Sequence, residues 1–158
     1  MKKIIFAALL LVGTVAAKAQ FEAGTKYIGA SLSNFGLSYS DDEKFRLGVE
    51  ATAGYFLWDD IMIKANLNYE HKQHSDNISV GLGGRYYFSE NGIFLGAGAE
   101  YCHETHSYND LRIPVEVGYC FYLNKYISLE PAAYYRMSIN DFSSKSAVGL
   151  KVGFGFYF

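Results

Sequence analysis

The chain lacks most of what would place it in a familiar class. Beyond residue 19 no apolar run approaches the ~18 residues that a transmembrane helix requires. Its 158 residues contain only two prolines, two cysteines and one tryptophan. No Pro-rich or low-complexity linker interrupts it, so residues 20–158 read as one domain. Basic residues are not in excess, at 14 against 16 acids, and the basic patch that nucleic acid calls for is missing. What is abundant is aromatic and small: 17% Phe, Trp and Tyr, and 16 glycines, in a chain that is 50% apolar. Apolar content without apolar runs is what strict alternation produces, and this composition points to an all-β protein.

The first residues are a separate matter. Met1-Lys2-Lys3 is a basic start, Ile4 to Val15 is apolar apart from Gly13 and Thr14, and Ala17-Lys18-Ala19 is a small-x-small cleavage pattern. Residues 1–19 are therefore expected to be a cleaved signal peptide, and residues 20–158 the mature domain. No cysteine follows the cleavage site, so a lipoprotein is not expected. The leader carries three lysines and no acid, so a net charge of −2 for the whole chain becomes −5 after cleavage.

Dyad alternation then runs through the rest. Ile28, Ala30 and Leu32 share one parity while Phe35, Leu37 and Tyr39 share the other, and a bulge near Ser33-Asn34 would reconcile them. An acidic loop at Ser40 to Glu43 precedes a second strand, Lys44 to Phe56, and a tight turn at Leu57 to Asp60. Further strands begin at Ile61, Ile78, Ile93, Leu111 and Ile127. The connections between them are polar loops at His71–Asn77, His103–Asp110 and Ser138–Ser146, and short turns at Ser89–Gly92 and Asn124–Lys125. The eighth strand, Ala147 to Phe158, alternates Val148, Leu150, Val152, Phe154, Phe156 and Phe158 with Gly149, Lys151, Gly153, Gly155 and Tyr157. Long connections thus alternate with short ones. Aromatic strand ends form two levels, Tyr39, Tyr69, Tyr101 and Tyr135 at one, and Tyr86, Phe88, Tyr119, Phe121, Phe156 and Phe158 at the other.

Eight alternating strands, two aromatic levels and a terminal Phe158 resemble the porin-like outer-membrane β-barrel domain family, in strand number its small OmpA and OmpX types. The resemblance spans the whole mature chain and implies an eight-stranded antiparallel up-and-down transmembrane β-barrel in the bacterial outer membrane. It implies lipid as the surroundings of a monomer, and no nucleic acid and no cofactor. It also implies that Phe154, Phe156 and Phe158 are the insertion signal read by the barrel-assembly machinery. A soluble lipocalin-like barrel would show the same alternation with its apolar face inside. The leader, the terminal phenylalanine and the abundant glycines opposite the apolar face favour the membrane form.

On that reading Arg46, Glu50, Lys64, Arg85, Glu100, Arg112, Glu116, Glu130, Arg136 and Lys151 face the lumen. Glu50, Glu100, Glu116 and Lys151 share a middle level, with Lys64, Arg85 and Glu130 below and Arg46, Glu70, Arg112 and Arg136 above. An eight-stranded barrel is only wide enough inside for side chains, so these charges must pair. The outcome expected is a closed structural core and a role in structure or surface interaction, exercised by the outer loops on an unspecified ligand. A narrow path for small ions or solutes is the alternative, and the inward glycines slightly favour it. His71, His74, His103 and His106 are weak metal candidates, read first as solvated loop histidines. His103-Glu104-Thr105-His106 is one residue short of the H-E-x-x-H pattern and is not on a helix. No nucleophile, base and orienter converge in a recognisable pattern, so an enzyme is not expected. Cys102 and Cys120 are expected to stay unjoined, about nine residues or ~30 Å apart along the wall, far beyond the ~7 Å a disulfide allows. Deleting Phe158 is expected to impair membrane assembly more than deleting any loop residue, and unchanged insertion of that truncation would remove the case for a terminal signal.

Overall fold

The computed structural model describes residues 21–33, 46–72, 75–89, 91–104, 108–139 and 146–158. Its strands are β1 (Lys26–Ser33), β2 (Arg46–Trp58), β3 (Ile61–Lys72), β4 (Ser75–Phe88), β5 (Ile93–Glu104), β6 (Tyr108–Tyr119), β7 (Phe121–Tyr122), β8 (Ile127–Ser138) and β9 (Ala147–Tyr157). No helix occurs among the described residues. Each strand pairs antiparallel with its neighbour in the wall, and β1 also pairs with β9, from Tyr27↔Tyr157 to Ser33↔Lys151. The sheet is therefore closed. β6 and the two-residue β7 both pair with β8 across a break at Cys120, so nine segments make eight wall strands. Closure leaves no unpaired strand edge, the condition for a sheet to cross lipid.

Parity settles which face is which. Leu82 is 70% exposed on the outside while Glu100 is 1% exposed within. Ile28, Ile63, Leu67, Val80, Val148 and Leu150 likewise lie outside, and Glu50, Arg85, Arg136 and Lys151 lie inside. A soluble barrel would be the reverse, so the soluble alternative falls. Trp58, Tyr55, Tyr69, Tyr86, Tyr101, Phe154, Phe156 and Phe158 are exposed on the outer wall, as interfacial anchors on a lipid-facing surface would be.

The strands reach further than the alternation suggests. The ladder continues through His71↔Asp76 and Glu70↔Asn77, so the expected loop at residues 71–77 shrinks to the link between Lys72 and Ser75. The loop expected at residues 103–110 shortens in the same way, and Asp110 stands in the wall opposite Cys102. Above the lipid both faces of a strand are polar, so the apolar alternation that marks a strand in sequence stops before its backbone ladder does. β2 runs on to Trp58 through a register slip after Phe56, in place of the turn expected from Leu57. The bulge at Ser33-Asn34, the second half of the first strand with Tyr39, the acidic loop and the leader lie outside the described residues.

The end where Phe21 and Phe158 lie has tight turns. Asp60 adopts φ 66° and Gly92 φ 75°, the left-handed region that costs a side chain energy but a glycine little. Asn124 closes its turn by accepting the amides of Tyr126 at 2.8 Å and Ile127 at 2.9 Å, an Asx-turn. Between β5 and β6 the ladder runs over 93–97 and 100–104 and skips the stretch facing Pro114, whose nitrogen has no hydrogen to give. Cys102 and Cys120 are both free thiols. Cys102 is opposite Asp110 near the loop end, and Cys120 lies by Gly92 at the turn end. Mass analysis without reductant is expected to find two free thiols per chain; an intramolecular bridge would overturn this register.

Candidate functional site: the filled lumen

A wall of eight strands brings side chains from opposite sides into contact, and the interior here is layered. In the middle layer Lys151 on β9 reaches Glu50 on β2 at 2.8 Å and Glu116 on β6 at 2.6 Å. Glu116 also receives Lys64 on β3 at 2.6 Å and Arg85 on β4 at 2.9 Å. Three cations thus converge on one carboxylate. Arg85 extends its other arm to Glu130 on β8 at 2.8 Å. Glu130 further accepts the hydroxyls of Tyr27 at 2.9 Å, Tyr157 at 2.7 Å and Ser128 at 2.7 Å. Every one of these charges is at least nine-tenths buried on its side chain. Paired and hydrogen-bonded on all sides, they meet the requirement that burial imposes.

Glu100 does not join Lys151 as expected. It accepts the hydroxyl of Ser79 and faces Arg136 at 3.7 Å, one level higher. Arg136 is shared at longer range with Glu50 at 3.9 Å and Glu70 at 4.0 Å, and its guanidinium lies 4.6 Å from the centre of the Tyr134 ring. One cation among three carboxylates is thereby avoided, because Arg85 and Arg136 are borrowed from the adjacent levels. Higher still, Arg112 donates to Asp110 at 2.9 Å, and Ser138 donates to the other carboxylate oxygen at 2.9 Å. Asp110 is fully buried, although hydropathy alone puts it in a loop. Its parity with Arg112 is the signal that could have found it. The side chain of Arg46 lies outside the described residues.

At the turn end the lumen is aromatic, which the alternation does not reveal. Phe21, Tyr27, Phe56, Met62, Tyr87, Phe94 and Tyr157 form one buried cluster with Cys120 and Ala132. Each wall residue in it has inward parity, on the face expected to be small or polar. Arg85 marks the junction: its guanidinium lies 4.2 Å from the centre of the Phe94 ring. Glycines make room for these large groups. A Cβ on Gly96 would sit 2.6 Å from Glu116 Oε1, and one on Gly155 would collide with Glu130, Ser128 and Tyr27. The inward glycines thus hold space that neighbours fill. Two small voids of about 10 and 20 Å3 flank the Lys151 layer, each with room for about one water.

The histidines are elsewhere. His71 and His103 are exposed on the outer face of β3 and β5, and His103 Nδ1 is 2.8 Å from Asn109 Oδ1 across the β5–β6 pair. His74 and His106 lie outside the described residues. Among the described residues no three His, Cys, Asp or Glu side chains gather as metal ligands would. Phe154, Phe156 and Phe158 share the outer face of β9 and its end, where Phe158 exchanges backbone hydrogen bonds with Lys26 at 2.8 and 3.0 Å.

A closed wall with an aliphatic outside and an ionic inside defines a membrane β-barrel of the outer-membrane type. The chain belongs to the outer membrane protein beta-barrel domain family, whose pattern matches residues 4–158, and its place is the bacterial outer membrane. Among curated proteins none matches the sequence. Among solved structures it is similar to the N-terminal β-barrel domain of Pseudomonas aeruginosa OprF, with a TM-score of 0.69 at 15% identity over 86% of this chain and 98% of that one. Neisserial surface protein A gives 0.64 at 15% identity over 85% and 96%. Ail of Yersinia pestis gives 0.59 at 12% over 85% and 99%. At such identities the likeness is one of fold.

Removing Lys151 strands Glu50, whose next cation is Arg136 at 3.9 Å. Removing Arg85 strands Glu130 and takes one of three cations from Glu116. Lys151→Met and Arg85→Met are each expected to cost about 3–5 kcal/mol, whereas Glu100→Gln, which leaves Arg136 two other carboxylates, should cost far less. Urea midpoints of the variants refolded in detergent micelles measure this. A Lys151→Met barrel as stable as the parent would mean that these charges do not meet in a closed core.

Proposed function

We propose that this small outer-membrane barrel is a closed, non-enzymatic protein with a structural or surface-interaction role, its recognition carried by the connections at the loop end. The observation that supports this reading is the packed lumen: among the described residues, the two voids beside the central ion pairs are of about 10 and 20 Å3. Neither admits a hydrated ion or a solute larger than water. On this reading the turn end faces the periplasm, as short turns do in the family fold. The leader is removed, Phe154, Phe156 and Phe158 present the insertion signal to the assembly machinery, and the mature barrel sits in lipid as a monomer without a cofactor. Single-channel recording in planar bilayers tests the central claim. The folded protein is expected to be silent, and discrete openings would replace the closed core with a low-conductance channel.

A further inference from the structure

The periplasmic mouth of the barrel is sealed by a residue that does not belong to the wall. Alternate wall strands each send one aromatic inward at this level: Phe56 from β2, Tyr87 from β4, Tyr122 from β7 and Tyr157 from β9. Phe21, five residues before β1, occupies the centre of that ring. Its own ring stacks on Tyr87 at 4.2 Å, lies 5.9 Å from Phe56, 5.7 Å from Tyr122 and 6.1 Å from Tyr157, and is 2% exposed. The wall without Phe21 has a phenylalanine-sized hole at its centre.

The segment is held there by a purpose-shaped turn. The Asp60 amide donates to Phe21 O at 2.7 Å, and the Asp60 carbonyl accepts from Tyr87 N at 2.8 Å. Asp60 makes both bonds at a left-handed φ of 66°, a conformation that a non-glycine residue holds when its surroundings impose it. Asp59 adds its carboxylate, which accepts the Ala23 amide at 2.9 Å. Gly24, at φ 95°, then turns the chain back towards β1 and donates to Phe56 O at 2.8 Å. The segment's own bonds reach β2 and the turn between β2 and β3, and Asp60 ties that turn to β4, so the segment is a hook set at the mouth.

We infer that residues 21–24 are a stopper for the periplasmic mouth, with Phe21 as the plug and the Asp59–Asp60 turn as its clamp, and that its release opens the aromatic lower lumen to periplasmic water. This goes one step past the closed-core reading, which it takes as its starting point. It gives the barrel a second state, in which the Arg85–Glu130 layer is reached from one side only, because the middle ion layer remains in place above it.

Cys120 is the built-in reporter. Its thiol is 2% exposed and lies 3.4 Å from the Tyr157 hydroxyl, within the sealed cluster. In a Cys102→Ser background, a charged methanethiosulfonate reagent is added to the refolded, processed barrel in micelles. Heat-modifiable migration on gels reports that each variant is folded. The parent is expected to label slowly, and Phe21→Ala about tenfold faster, since reaction of a buried group follows its local opening. Asp59→Ala removes only an exposed acceptor from the clamp, leaves the wall intact and is expected to label about threefold faster; it answers the question should Phe21→Ala fail to fold. Labelling at the parental rate in folded Phe21→Ala, or in Asp59→Ala where the former does not fold, would overturn the stopper, as would a parent that labels as fast as its variants. Conductance of the parent bears on the closed core alone, and labelling of the variants on the stopper alone.

Discussion

The limited width of an eight-stranded wall governs the rest of this structure. The space inside admits side chains but not a pore, so whatever points inward must touch what points inward from the far side. Lys151 on β9 meets Glu116 on β6, and Lys64 on β3 meets the same carboxylate. None of these strands are neighbours in the wall. The charges therefore pair across the lumen because closure holds them within reach of one another. The same narrowness explains the glycines, since Glu116 could not lie across the interior if Gly96 carried a side chain.

The lumen divides into an ionic part and an aromatic part, and Arg85 is built for the boundary. Its planar guanidinium lies against the face of Phe94 while its fork reaches Glu116 on one side and Glu130 on the other. A lysine could offer one point of charge but neither the flat face nor the two diverging donors. Below that boundary, hydroxyls and a thiol turn towards Glu130, from Tyr27, Tyr157, Ser128 and Cys120. The two tyrosine rings help complete the aromatic cluster and their oxygens help satisfy the carboxylate, so the same side chains serve both layers.

Fold and parity are legible in the sequence because lipid and lumen impose opposite demands on alternate residues, and that pattern survives without any tertiary information. The membership of the ionic interior comes from the same parity. Which charges pair does not, because pairing depends on the stagger of strands around the wall; Glu100 leaves the Lys151 level for Arg136 for that reason. Asp110 looks like part of a loop, since above the lipid a strand no longer alternates in hydropathy. The aromatic base is hidden in a different way. Phe56, Tyr87, Phe94 and Tyr157 have inward parity, but an aromatic residue near a strand end also suits the membrane interface, and composition does not tell the two apart. Phe21 carries no periodic signal at all, as it lies outside every strand.

The outer face, by contrast, is nearly blind to register. Along β9 it reads Val148, Leu150, Val152, Phe154, Phe156, and along β2 Val49, Ala51, Ala53, Tyr55. A slip of two residues between neighbouring strands would keep every apolar side chain outside and every charge inside, and lipid would scarcely register the change. A slip of one is forbidden by parity; a slip of two is not. The interior does distinguish them. Two residues along β9 from Lys151 stand Gly149 and Gly153, so a slip removes the cation that lies 2.8 Å from Glu50 and leaves a carboxylate stranded in the middle layer. Buried ion pairs add little net stability over an apolar core of the same shape, but breaking one is costly. In this barrel that asymmetry makes the ionic interior a selector of strand register, a task that the lipid-facing wall is too uniform to perform.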